Sequence, residues 1–171
     1  KILNNKLLFS LNKLKPIIKS ISDNAKTKTS ITYFNHAFLI VTGENFKFAT
    51  DPWAIGPAFN TGWWLNEKTE SDWLKEVNSS DFIYISHNHP DHLNQHTLKK
   101  ISKNKVFIIP KFQDDSIGGL LRKLKFKKII YFEINKQYQF KNSNLVLCIL
   151  KSGDFRLDSG IYFSNGKFTS L

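Results

Sequence analysis

Four of the chain's five histidines fall between positions 87 and 96, and the densest stretch reads His87-Asn88-His89-Pro90-Asp91-His92. Imidazole nitrogens and carboxylate oxygens are good ligands for zinc, and they suit iron or manganese as well. On an extended segment residues two apart point the same way, so His87 and His89 face one ion. Asp91 and His92 come where the chain turns, with Pro90 stiffening the turn, and are aimed at a second ion beside the first. A bound dication lowers the pKa of its water to about 7, which yields hydroxide at neutral pH. The bland alternative, a histidine-rich surface loop, needs three imidazoles and a carboxylate to gather at a strand end by chance. Ionisable clusters at such places are more often functional.

The elements that must position these residues are legible around them. Residues 82–86, Phe-Ile-Tyr-Ile-Ser, are almost wholly apolar, the mark of a strand buried on both faces. A helix is predicted over residues 95–102 and a second buried strand over 106–109. Upstream, residues 30–42 and 46–50 read as strands joined by the hairpin signal Gly43-Glu44-Asn45. Residues 51–66 form an aromatic, Gly/Pro-rich loop, and a short helix capped by Ser71 comes after it. Downstream, residues 114–124 read as helix, and 128–132, 137–140, 145–150, 160–163 and 167–171 as strands. A hairpin, then helix alternating with strand, then a run of strands predicts a mixed α/β sheet packed with helices. Residues 1–22 carry Leu and Ile at helical spacing, broken at Pro16, so one kinked helix or two short ones precede a polar linker. The division expected is a basic N-terminal segment and linker over 1–28 and a single domain over 29–171.

Composition narrows the classes. Lys and Arg number 25 against 14 Asp and Glu, a net charge of +11. Arg122 and Arg156 are the two arginines among those cations. Phosphate-gripping surfaces favour Arg forks, so the lysine excess reads as a solvated surface and nucleic acid is not the expected partner. One cysteine, Cys148, excludes an internal disulfide, a cysteine zinc knuckle and a complete iron–sulfur ligand set within this sequence. No apolar run approaches the roughly 20 residues that cross a bilayer. A cytoplasmic protein without a membrane partner is expected. The lack of Met, position 1 included, is expected of a piece of a longer chain.

The strand ending in His-x-His-x-Asp-His, over residues 82–92, resembles the signature of the metallo-β-lactamase-fold superfamily. Phe34-Asn35-His36-Ala37-Phe38 resembles that superfamily's early Gly-His-Ala strand, and Thr50-Asp51-Pro52 its following turn. Asp51-Pro52-Trp53, Gly56-Pro57-Ala58-Phe59-Asn60, Gly62-Trp63-Trp64 and Ser71-Asp72-Trp73-Leu74 are narrower. Together they resemble the metallo-domain of the CMP-N-acetylneuraminate hydroxylase family and its bacterial relatives. The resemblance implies an αββα sandwich, here its first half and one or two strands of the second, incomplete at the C-terminus. It also implies a one- or two-metal site, zinc the expected ion and iron or manganese the alternatives. By resemblance His87 and His89 bind the first ion and Asp91 and His92 the second, with Asp91 also orienting the nucleophilic water. Asp154 falls where the family places the first ion's third ligand. The implied activity is that of a metal-dependent hydrolase using metal-bound hydroxide, on a small-molecule substrate such as a nucleotide-sugar or phosphorylated sugar. One alternative is a hydroxylase-like oxygenase component that draws electrons from a separate Rieske partner. Another is a non-catalytic metal-binding module.

The remaining features divide between framework and site. His36, a lone imidazole among apolar residues, reads as a hydrogen-bonded structural residue, while the resemblance has it lining the substrate site. Asp51 reads as an acceptor behind a ligand imidazole. His96, one helical turn after His92, is expected behind the site or exposed. Trp53, Phe59, Trp63 and Trp64 read first as a small satellite core holding the loop to the sheet. Their second reading is a wall that binds the sugar or base of a substrate.

Overall fold

The computed structural model describes residues 29–141, 143–152, 157–166 and 169–170. The helical segment expected over 1–22 lies outside the described residues. The first strands are β1 (Ser30–Asn35), β2 (Phe38–Thr42) and β3 (Lys47–Thr50), paired antiparallel. The single strand expected over residues 30–42 is thus corrected to two. The chain reverses at His36, which takes a φ of 48°, and Asn35 pairs with Phe38 across the turn. So tight a reversal requires a left-handed residue, and histidine is among the side chains that tolerate one. The apolar neighbours Phe34, Ala37 and Phe38 hide the turn from a reading by hydrophobic pattern. The hairpin expected at Gly43-Glu44-Asn45 is present, closed by Gly43 N donating to Phe46 O at 2.8 Å.

Helix and strand then alternate through α1 (Trp73–Ser79), β4 (Phe82–Tyr84), α2 (Gln95–Lys100), β5 (Val106–Pro110), α3 (Ser116–Lys123) and β6 (Lys128–Phe132). Ser71 does not cap α1. The N-cap position belongs to Asp72, without a side-chain hydrogen bond. The backbone of Trp73 already bonds to Glu70 O, and a turn there swings the indole into the core and leaves Ser71 exposed. Strands β4, β5 and β6 extend β3 in parallel, completing a six-stranded sheet in sequence order. A second sheet is antiparallel, ordered β10 (Thr169–Ser170), β9 (Ser159–Ser164), β8 (Val146–Lys151), β7 (Gln137–Gln139).

Alternation of side chains across the first sheet builds two cores. Ile40, Ala49, Ile83 and Phe107 face the helices and meet Trp73, Val77, Leu98 and Leu121. Val41, Phe48, Phe82 and Ile108 face the second sheet and meet Leu147, Ile149 and Phe163. A strand buried on both faces must be apolar at consecutive positions, which is why residues 82–85 read as a continuous run. Cys148 is buried in β8, as its apolar neighbours predict. Lys123, Lys125, Lys127 and Lys128 are exposed.

Phe48 is fully buried between the sheets, stacked on Phe82 at 4.9 Å and edge-on to Phe163 at 5.4 Å. Phe48→Ala is expected to cost about 3–5 kcal/mol in urea unfolding. A loss below about 1 kcal/mol would contradict this inter-sheet core.

Candidate metal centre

The sequence from β4 onward dictates the centre. The apolar strand leaves the sheet at Tyr84, and Ser86 and His87 are still buried as the chain emerges. It then turns at Pro90, where His89 O accepts from His92 N at 3.0 Å and Leu93 N at 2.8 Å. Asn94 anchors the end of that turn: its side chain caps α2 by accepting from Thr97 N and donates to Pro57 O and Pro90 O, each at 3.1 Å. One amide therefore ties the histidine turn to the aromatic loop.

Two groups of donor atoms result. His87 Nε2 and His89 Nδ1 face each other at 3.0 Å. Ligand atoms of His36, Asp91 and His92 lie within 4.8 Å of one another. In the second group His36 Nε2 is 2.9 Å and His92 Nε2 3.6 Å from Asp91 Oδ2. The His87 and His92 rings, 4.0 Å apart between centroids, join the groups. The four motif residues thus fall in two adjoining groups, and His36 joins the second from the β1–β2 turn. Asp154 lies outside the described residues.

Behind the rings stands Asp51, buried and held at a φ of 38°. Its Oδ1 accepts from Ser86 N and its Oδ2 from Ser86 Oγ, both at 2.7 Å. Oδ2 also accepts from His92 Nδ1 at 2.9 Å. These bonds assign the tautomers. A carboxylate cannot donate, so neutral His92 carries its proton on Nδ1 and turns the bare Nε2 toward Asp91. Ser86 Oγ donates its one proton to Asp51, so it accepts from His87 Nδ1 at 2.8 Å. Asp158 Oδ1, 3.2 Å from the same nitrogen, favours the same assignment. His87 Nε2 is then bare where it faces His89. Metal-binding histidines are oriented through their other nitrogen in this way. Asp51 is where sequence reasoning expects it, whereas Ser86 and Asp158 were missed. Ser86 carries a signal, being the one polar residue in the apolar run, and Asp158 has none without the fold.

Electrostatics separates the two histidines. Burial, and then the neighbouring His92 ring, hold His87 below the ordinary imidazole range. Burial also works to lower His92, but the hydrogen bond and charge of Asp51, with Asp91 and Asp158, outweigh it and raise that ring. Asp91 Oδ1 is buried and, among the described residues, has no hydrogen-bond partner. A carboxylate oxygen removed from water without a partner is costly, and a cation shared with the neighbouring imidazoles answers that cost. The donor set, nitrogen and oxygen throughout, fits zinc, iron or manganese.

The aromatic loop divides. Trp53 is buried, donates from Nε1 to Gly56 O at 2.9 Å and lies edge-on to His36 at 5.6 Å, so it is framework behind the site. Phe59, Trp63 and Trp64 are 38%, 55% and 63% exposed, which corrects the satellite-core reading for these three. Gly56 is required in this loop: its φ is +74°, and a Cβ would stand 2.5 Å from His96 Cγ. His96 itself is exposed, with its ring against that glycine.

A family model described as a beta-lactamase superfamily domain matches residues 30–154. Over 123 residues the chain is 39% identical to the cytidine monophosphate-N-acetylneuraminic acid hydroxylase of Asterias rubens, covering 66% of this chain and 19% of that protein. The chain spans a fifth or less of the length of the first few such curated relatives, between 14% and 20%. Among solved structures, isothiocyanate hydrolase from Delia radicum gut bacteria aligns with a TM-score of 0.58 at 17% identity, over 79% of this chain and 58% of that one. CmlA, a diiron beta-hydroxylase from Streptomyces venezuelae, aligns with a TM-score of 0.59 at 18% identity, over 85% and 29%. These two likenesses concern the fold.

Asp51→Asn offers one acceptor where two oxygens serve now. Unfolding stability should fall by about 1–3 kcal/mol. Cation affinity should fall about 10- to 100-fold with all candidate ligands intact, as read by competition with a chromogenic chelator. In the wild type, protonation of His92, whose ring is held above the ordinary imidazole range, should compete with cation binding beside Asp91, so cation affinity should fall as the pH drops through the His92 titration. Cation affinity unchanged across that titration, read by chelator colour, would refute the assignment.

Proposed function

Because the chain belongs to the beta-lactamase superfamily, we propose that it carries a divalent-cation centre serving hydroxylation of a nucleotide-activated sugar. The observation that carries this reading is the buried Asp91 Oδ1, without a hydrogen-bond partner among the described residues, beside His36 and His92 and next to the paired nitrogens of His87 and His89. The substrate class rests on relatives named for hydroxylating cytidine monophosphate-N-acetylneuraminic acid, at 39% identity and above over the matched segments. His87 and His89 would hold one cation, and Asp91 and His92, with His36, a second. Such a cation supplies Lewis acidity and, where it is iron, electrons for dioxygen chemistry.

The chain's own residues supply the rest. Asp51 and Ser86 keep the two ligand rings in one tautomer and one orientation, so lone pairs and not protons face the centre. His36, about a third exposed on its side chain and hydrogen-bonded to Asp91 Oδ2, stands between that carboxylate and solvent. Hydroxylation balances as substrate C–H plus dioxygen, two electrons and two protons giving C–OH and water. Cys148 alone cannot ligate an iron–sulfur cluster, so the electrons would come from outside these residues, from another region of a longer chain or from a Rieske partner.

Metal-dependent hydrolysis is the second reading. The donor set favours it, since histidine and carboxylate without thiolate suit zinc as well as iron, and hydrolysis needs no electron donor. The two readings separate in one assay. The chain loaded with ferrous iron, with a reduced iron–sulfur donor and air, should add one oxygen atom to cytidine monophosphate-N-acetylneuraminic acid by mass spectrometry. Breakdown of the same compound by the zinc-loaded chain without air would instead support hydrolysis. Replacing His87 and His89 by Ala should remove at least one equivalent of cation by elemental analysis. Full cation content in that double variant would remove the centre, and with it both reactions.

A further inference from the structure

From the exposed rings of the loop between β3 and α1, we infer that Phe59 and Trp63 form the seat of the substrate's planar base. This inference rests on the reading above and narrows it to nucleotide recognition. Large aromatic side chains left in water are unfavourable, and contiguous ones beside a site mark recognition surfaces. Here the exposure is built and not incidental. Phe59, Asn60 and Thr61 take φ values of 49°, 51° and 73°, three successive non-glycine residues in the left-handed region. Each such residue is costly and persists where the surroundings impose it, most often at ligand clamps. The surroundings are visible. Ala58 and Trp63 bridge antiparallel, with N–H to O bonds of 2.9 and 3.2 Å. Gly62 N donates to Phe59 O at 3.0 Å, and Trp64 Nε1 donates to Thr61 O at 3.1 Å. The base of the loop is held by the buried Thr97, whose Oγ1 accepts from Ala54 N at 2.9 Å, and by Asn94.

Position selects the occupant. The Phe59 ring stands 4.8 Å from Trp63 and 6.0 Å from His89, so two ring-to-ring steps connect the exposed indole to the candidate metal centre. One nucleotide-activated sugar is long enough to touch both. A sugar alone has no flat face of comparable polarisability, whereas a pyrimidine stacks on an indole irrespective of its hydrogen-bond pattern. The base therefore sits on Trp63 with Phe59 bracing the indole edge-on, and the sugar is delivered past His89.

The test uses the whole, zinc-loaded chain with cytidine monophosphate as probe and ribose 5-phosphate as the base-free control, followed by calorimetry. Trp63→Ala should weaken cytidine monophosphate by about 5- to 100-fold, the range one base–ring stack carries. Trp63→Phe should restore most of that loss, and ribose 5-phosphate should bind weakly and equally to all three proteins. Equal cytidine monophosphate affinity in wild type and Trp63→Ala, no measurable binding to the wild type, or an equal loss for ribose 5-phosphate would each overturn the seat. Zinc content measured on the same samples keeps the two readings apart. A normal zinc equivalent with unchanged nucleotide affinity sinks the seat alone, whereas missing zinc with a ring-dependent nucleotide affinity sinks the centre alone.

Discussion

The carboxylate of Asp51 is the constraint on which the centre depends. It is buried, its backbone is left-handed, and its two oxygens accept from Ser86 N, Ser86 Oγ and His92 Nδ1. Those bonds join three stretches of chain: the end of β3, the exit of β4 and the turn after Pro90. They also decide which nitrogen of each ring carries a proton. A carboxylate in this position offsets its desolvation only when its lone pairs are used, and here the donors are backbone, hydroxyl and imidazole together. The strain at Asp51 and the orientation of His92 are therefore one feature seen from two sides.

The sheets make such a constraint possible. The central strands β2 to β5 of the first sheet are buried on both faces, so they cannot tilt to relieve a badly placed loop without opening one of two cores. Tyr84 shows the connection directly. Its ring lies in the inter-sheet core while its hydroxyl bonds to Ser159 Oγ at 2.8 Å, and Ser159 in turn donates to Ser86 O at 2.7 Å. Burial, followed by the charge of Asp51, keeps that phenol protonated far beyond neutral pH. The second sheet thus reaches the loop of the candidate metal centre through a short hydrogen-bonded chain, and it brings Asp158 beside His87 with it.

The reach of each signal along the chain decides how much of this was legible in the sequence. The motif at 87–92, the apolar strand before it and the helix after it are local, so spacing and periodicity expose them. Asp51 was legible through its turn and its place in a resembling motif. The division of residues 30–42 was not, because a turn made by histidine between aromatic neighbours lacks glycine, proline or asparagine at the bend. Ser71 misled for a related reason: a serine before a helix signals a cap unless burial of a nearby tryptophan moves the start of the helix. The exposure of Phe59, Trp63 and Trp64 depends on backbone conformations that composition does not encode. Asp158 is brought to His87 by contacts between segments some seventy residues apart, which no local pattern carries.

The opposed shifts of His87 and His92 bear on how the centre is filled. Three carboxylates, Asp51, Asp91 and Asp158, raise the His92 ring, the one bonded to Asp51. His87, more deeply buried by its side chain and pressed by the charge of His92, is held below the ordinary imidazole range. A proton on His92 and a dication beside Asp91 answer the same negative charge, so each weakens the other. A dication held there would compete with a proton on His92 Nε2, while Asp51 holds the proton on Nδ1. A shared cation would also answer the buried Asp91 Oδ1, which has no hydrogen-bond partner among the described residues. Cation loading and proton release would then be coupled at His92, with Asp51 fixing the ring at which they meet.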